Sequence, residues 1–384
     1  MTNKVLDGIR VTDMTLGVAG ASATKLLAEL GAEVIKIESP AGEFTRNLIP
    51  FVFQTFNRGK RSVAVDIKSL EGVALLKRIA ASSDVFIQSQ KPGLVAGTGL
   101  GQEELTSLNP RLIYATFSGY GPTGPASRRR AVDALVQAES GMAMAQGAVL
   151  GNLSFIDTAS GISLVAGILA SLFRRATTGE IEHVDACLLN TAVYLQAAPF
   201  AEFSVNGTMI NQVSYARRYP LVGTFQASDG PVFFAAYWER DWHEICTLLE
   251  FPELEHDARF ATPADRSDHA VELRPILQAA FALRPRRYWI DGLEGRGIMA
   301  GEMRDYGEVI ADEQVVLNEA LVEGLMDDGA TALFAQAPYR MTSDVSTPSP
   351  PAPKLGADTV SVLESIGVER DEWERLAKAG VIGG

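Results

Sequence analysis

Asp157 stands in Leu153-Ser154-Phe155-Ile156-Asp157-Thr158-Ala159-Ser160-Gly161, at the head of a long apolar stretch. A carboxylate in that position can serve as a helix N-cap, accepting backbone N–H groups that have no partner within the helix. The same group can instead be catalytic. Position alone favours the cap. The other residues able to do chemistry form no familiar constellation. The four histidines, His183, His243, His256 and His269, are scattered, and there is no P-loop, no H-E-x-x-H, no metal-spaced cysteine pair and no G-x-S-x-G elbow. A metal site is therefore not expected.

Glu38 raises a second possibility. It ends a β-branched run about twenty residues beyond a Gly-Ala-Ser-rich turn, where a dinucleotide-binding protein places its ribose-binding acid. That turn, however, reads Gly17-Val18-Ala19-Gly20-Ala21-Ser22. This is not G-x-G-x-x-G, so it reads as a corner that lets a helix pack on a sheet, and an NAD-dependent oxidoreductase remains only an alternative.

The elements that must position these groups alternate in type. An apolar run at Ile9–Met14, the corner at Gly17–Gly20, a helix carrying Leu26, Leu27 and Leu30 and a strand at Val34–Glu38 form a βαβ unit. Strands at Ser62–Ile67, Val85–Gln88 and Leu112–Ser118 and a helix at Leu70–Ser82 repeat the pattern. Long helices follow at Thr158–Thr177 and about Leu188–Phe203, separated by a short strand from His183 to Ala186. Such alternation predicts an α/β fold with a parallel sheet covered by helices on both faces. From Pro220 the pattern becomes a hairpin turning at Ser228-Asp229-Gly230, with helices near Trp242–Leu249, Glu272–Ala282 and Trp289–Glu294. The expected division is a large domain from residues 1–203, completed by 330–384, and a smaller α+β domain from 204–329, with a Pro-rich linker at Thr347–Pro353.

Bulk properties narrow the partners. A net charge of −13 over 384 residues opposes binding to nucleic acid. Two distant cysteines, Cys187 and Cys246, fit a reduced compartment, and the N-terminus has no apolar signal segment. A cytoplasmic protein without a membrane role is expected. Met142, Met144, Tyr215 and Tyr237 read first as ordinary core and second as the lining of an apolar pocket.

Several stretches, in order along nearly the whole chain, resemble the class III CoA-transferases, the family of the formyl-CoA:oxalate and crotonobetainyl-CoA:carnitine enzymes and of α-methylacyl-CoA racemase. They are LDGIRVTDMT, LLAELGAEVIKIESPAGEFTR, NRGKRSVAVDIKSLEG, KPGLVAGTGLGQEEL, NPRLIYATFSGYGPTGP, IDTASG, TGEIEHVDACLLNTA, DARFATPADRSDH and APKLGADT. The resemblance implies a Rossmann-like large domain, a small α+β domain and two identical subunits interlocked like chain links. It implies an enzyme that moves CoA from an acyl-CoA donor to a carboxylic acid, with CoA as substrate and no tightly bound cofactor. Asp157 becomes the nucleophile, forming an acyl anhydride and then an enzyme–CoA thioester. CoA-contacting positions map onto Val18 and Ala19, onto Val65, Asp66, Ile67 and Lys68, onto Ser89, Gln90 and Lys91, and onto Arg130, Ala131, Val132 and Asp133. Lys68, Lys91 and Arg130 are the expected phosphate partners.

Some positions depart from the family pattern. Ala21 stands where relatives often have Pro, Ser89 where they often have Asn, and Gly97 where they often have a basic residue. The stretch between Gly141 and Asp157 is short, and the small domain lacks the glycine-rich loop of the formyl-CoA enzymes. The racemases need a His at the position of Val132, so a racemase is the alternative that lacks half its acid–base pair. A CoA-binding subunit of a heteromeric transferase is the other alternative.

Overall fold

A computed structural model describes residues 4–91, 95–342 and 349–383. By internal contacts the chain forms two compact units. The first contains residues 1–142, 150–197 and 317–384, and the second contains 143–149 and 198–316.

The first unit is built on a seven-stranded sheet. In chain order its elements include β1 (Arg10–Met14), α1 (Gly17–Glu29), β2 (Glu33–Glu38), β3 (Arg61–Val65), α2 (Leu70–Ala81), β4 (Val85–Gln88) and β5 (Ile113–Ser118). They continue with α3 (Asp133–Glu139), α4 (Phe155–Thr178), β6 (Val184–Cys187) and α5 (Leu188–Leu195). The hairpin β7–β8 (Leu321–Leu325 and Thr331–Ala335), α6 (Thr359–Ser365), α7 (Arg370–Lys378) and β9 (Ile382–Gly383) complete the unit.

The sheet order is β9-β3-β2-β1-β4-β5-β6. All neighbours are parallel except β9, which runs antiparallel along β3. Strands 3-2-1-4-5-6 follow the doubly wound order whose direction reverses between β1 and β4, where ligands of such sheets bind. Strands β1 to β4 are buried on both faces, as parallel strands under helices must be, whereas the edge strand β6 is partly exposed. α1 and α4 cover one face, with Val11, Leu27, Ile87, Ile113, Leu164 and Ile168 in the shared core. α2, α6 and α7 cover the other, around Ile35, Val63, Leu76, Phe86 and Val362.

α4 is long and apolar enough to cross a membrane by length and composition, yet Leu164, Val165, Ile168 and Leu172 are buried in the protein core. The glycine beyond it, Gly179, takes φ +78° and ends the helix.

Two elements differ from the sequence expectation. The Gly-Ala-Ser segment is not a turn before a helix but the first turns of α1 itself. Gly20 permits this, because a Cβ there would lie 2.3 Å from Cβ of Thr15. The expected helix from 188 to 203 is two helices, Leu188–Leu195 and Ala197–Asn206, broken at Gln196. Pro199 explains the break, since its ring would strike the carbonyl of Leu195 in one continuous helix.

In the second unit the strands Val222–Ala227, Gly230–Ala235 and Met299–Glu302 form an antiparallel sheet. The helices Glu239–Leu248, Ala270–Phe281 and Arg286–Glu294 supply the rest of its core. Phe234 stacks on Phe281 at 5.3 Å between ring centres, and Phe281 on Trp289 at 4.4 Å.

Candidate active site

Asp157 is the third residue of α4, one turn inside the N-cap position taken by Ser154. It is therefore not the cap. An acid in the first turn still meets the positive end of the helix. The backbone N–H of Asp157 donates to Oδ2 of Asp133 at 2.9 Å, so a carboxylate from α3 satisfies one of the unpaired donors of α4. Asp133 is itself buried. Its Oδ1 accepts from Nε2 of Gln137 at 2.5 Å, and Gln137 is fixed in turn by the N–H of Gly151 at 2.8 Å.

The Asp157 side chain is half-buried, and among the described residues its carboxylate meets no cation. Burial, reinforced by the negative charge of Asp133, pushes its pKa up to about 7. A perturbed carboxyl without a counter-charge is the electrostatic condition of a reactive group.

α1 and α4 both run from the carboxyl edge of the sheet toward its amino edge, so they are parallel. They pack without a gap at Gly161, where a Cβ would lie 2.1 Å from Oγ of Ser22 and 2.9 Å from the carbonyl oxygen of Ala19. Asp157 lies one turn earlier on the same face. That places it level with the first turn of α1, which carries Val18 and Ala19.

The other expected contact residues also belong to the carboxyl edge of the sheet. Ser89 follows β4, and its Oγ accepts the N–H of Leu16 at 2.8 Å, bridging the point where the strand order reverses. Gln90 and Lys91 continue from it, and the N–H of Gln90 donates to Oε1 of Gln88 at 2.6 Å. Arg130 to Asp133 fold back onto the end of β5. Gly119 makes room for them, since a Cβ there would lie 2.2 Å from Cβ of Ala131.

Val65 ends β3, and Asp66, Ile67 and Lys68 follow it. They lie two strands from β1, about 10 Å away at ordinary strand spacing. Lys68, Lys91 and Arg130 are exposed, and Val132 is exposed before α3. Asp133 is different, because both its oxygens are occupied inside the protein. Glu38, the acid of the dinucleotide reading, is also occupied: Arg46 binds it at 2.6 and 3.0 Å. Met142 is buried, whereas Met144, Tyr215 and Tyr237 are exposed rather than core. Among the described residues no group of three or more His, Cys, Asp or Glu is placed to hold a metal ion.

Sequence reasoning missed a group of buried charges beneath the β1–α1 corner. Asp13, Lys36, Glu43 and Lys60 are all buried. Nζ of Lys60 lies 3.1 Å from Asp13, and Nζ of Lys36 lies 3.0 Å from Glu43. Burial alone would raise the Asp13 carboxyl, but Lys36, Lys60 and hydrogen bonds from Thr15 and Thr24 hold it well below the carboxylate range. The signal was available: Lys36 sits between Ile35 and Ile37, and Asp13 two residues after Val11, inside strands buried on both faces.

The CoA-transferase family III profile matches residues 6–359. This chain belongs to CoA-transferase family III. Among relatives of this family member, the probable fatty acyl-CoA transferase Rv3272 of Mycobacterium tuberculosis is 33% identical over 375 residues, covering 91% of this chain and 95% of that one. The succinyl-CoA:glutarate CoA-transferase of Mus musculus is 33% identical over 400 residues, covering 99% and 90%. The crystal structure of Rv3272 superposes with a TM-score of 0.85 over 94% of this chain and 99% of the other, at 32% identity. That of a CAIB/BAIF family protein from Brucella suis gives 0.84 over 95% and 100%, at 28% identity. This family member is accordingly an enzyme of the CoA-transferase class.

Proposed function

We propose that this transferase moves CoA from an acyl-CoA donor to a carboxylic acid acceptor through covalent intermediates on Asp157. The observation that carries this reading is the half-buried Asp157 carboxyl, without a cation among the described residues and raised to about 7, level with the first turn of α1.

In the first step a carboxylate oxygen of Asp157 attacks the donor thioester carbon. The C–S bond breaks and CoA leaves as thiolate, giving a mixed anhydride. The thiolate then attacks the Asp157 carbonyl, expelling the donor acid and leaving an Asp157–CoA thioester. The acceptor carboxylate attacks that carbonyl and again releases thiolate. Attack of the thiolate on the acceptor carbonyl gives the new acyl-CoA and restores the Asp157 carboxylate. Each tetrahedral centre carries an oxyanion. The N–H groups at the start of α1, which no helical carbonyl can accept, are suited to receive it.

CoA is a substrate in this scheme. Lys68, Lys91 and Arg130 are proposed to meet its phosphates, and Val18, Ala19, Val65, Asp66, Ile67, Ser89, Gln90, Ala131 and Val132 to line its path. We further propose an interlocked homodimer acting in the cytoplasm. The test is intact-protein mass spectrometry of the wild type and Asp157→Ala after incubation with succinyl-CoA, acetyl-CoA and a long-chain acyl-CoA, with hydroxylamine as trap. The expected result is a hydroxamate on the wild type alone. Equal modification of both proteins would refute Asp157 as nucleophile.

A further inference from the structure

We propose that the buried Asp13–Lys60 pair is a positioning device for the transfer, clamping both ends of the Thr15–Thr24 arc so that the N–H groups of Val18 and Ala19 are held against Asp157. This rests on the reading of Asp157 as nucleophile.

The two side chains grip the arc from both ends. Oδ1 of Asp13 accepts the N–H of Thr15 at 2.9 Å and its hydroxyl at 2.6 Å, just before α1 begins. Oδ2 accepts the hydroxyl of Thr24, in the second turn, at 2.6 Å. Nζ of Lys60 donates toward Thr24 Oγ1 at 2.7 Å and the carbonyl of Ala21 at 3.1 Å, and is tied back to Asn57 Oδ1 at 2.8 Å. Nζ of Lys36 adds a bond of 2.5 Å to the carbonyl of Thr15. Val18 and Ala19 lie inside the arc that these bonds close.

A buried ion pair is a poor device for stability alone, because an apolar pair of similar volume often serves as well or better. What charged groups supply here is a set of directed bonds that fix a backbone corner. The corner faces α4 through the contact at Gly161, which has no slack. A displacement of the arc therefore moves the α1 donors relative to Asp157. Misplacement by about 1 Å costs on the order of 10²-fold in rate.

The experiment compares the full-length wild type with Asp13→Asn. It measures CoA affinity by calorimetry and the rate of hydroxylamine-trapped acylation of Asp157 by rapid quench, using the donor that modifies the wild type. A positioning role predicts a trapping rate lower by roughly 10²-fold, with CoA Kd within about threefold. If Asp13→Asn does not fold, Asp13→Asn/Lys60→Gln, which leaves no buried charge unpaired at the site, is measured instead. An unchanged rate, or a rate and an affinity that fall in step, would overturn the proposal while leaving the nucleophile intact. A wild type that is never trapped would overturn both.

Discussion

Asp13 bonds the segment that begins α1 and Asp157 stands in the first turn of α4, which packs on α1, and their surroundings are opposite. Asp13 is enclosed by Lys36, Lys60, Thr15 and Thr24, and its carboxyl is held well below its ordinary range. Asp157 meets no cation among the described residues, is approached by the carboxylate of Asp133, and is raised to about 7. One acid is compensated on every side and fixes backbone. The other is left short of charge and partly open to solvent. Burial acts on both in the same direction, so the difference comes from the neighbours. A buried acid is thus scaffold or reagent according to whether its counter-charges are supplied.

The largest expected effect separates the two by chemistry. Asp157→Asn should lower transfer by roughly 10³-fold or more, the scale seen when a covalent nucleophile is removed. Steady-state turnover by chromatography of acyl-CoA products checks it. The next effect is on stability, and its sign should differ between the acids. Asp13→Asn leaves Lys60 without its partner and should cost about 3–5 kcal/mol at neutral pH.

Asp157→Asn should do the reverse. A carboxyl whose folded-state value is raised from 3.8 to about 7 destabilises the fold progressively as pH climbs through that window, fully above it. Removing it should therefore raise Tm at pH 8 and leave little change near pH 4. Thermal unfolding of both variants at the two pH values tests the contrast. A loss of stability for Asp157→Asn at pH 8 would break it.

Smaller effects sharpen it. Gly161→Ala forces a methyl against Ser22 and Ala19, and overpacking of this kind costs about 1–3 kcal/mol. Because the displaced element carries Asp157, kcat should fall more than KM rises. Smallest is the effect of Asp133→Asn, which keeps an acceptor for the Asp157 N–H but removes the like charge. The acid limb of the pH–rate profile, expected near 7 in the wild type, should move downward. A limb that stays in place would show that Asp133 does not raise the Asp157 carboxyl.

Much of the first unit was legible from β-branched runs separated by helical spacing, because parallel strands buried on both faces must be apolar. The start of α1 was not. Gly17 and Gly20 break up the helix signal of Ala19 and Ala21, and the small residues are explained by close approaches, of Gly20 to Thr15 and of Gly161 to Ser22 and Ala19. Asp157 was legible as a residue of interest, and its neighbourhood was not. Its partner Asp133 lies 24 positions away in sequence, and their contact runs through a backbone N–H. Lys60 stands in the basic run Arg58-Gly59-Lys60-Arg61, where nothing local marks it as buried. Its burial follows from where β3 enters the sheet, which local sequence does not encode.

The central claim is that Asp157 carries the transferred group covalently. Its scheme puts one oxygen of the acceptor acid into the Asp157 carboxylate at each turnover. The most direct measurement is therefore peptide mass spectrometry of the enzyme after turnover with an acceptor labelled with heavy oxygen in its carboxylate. Label is expected in the peptide containing Asp157 and nowhere else. Turnover that leaves this peptide unlabelled would contradict it and point to direct transfer between bound substrates.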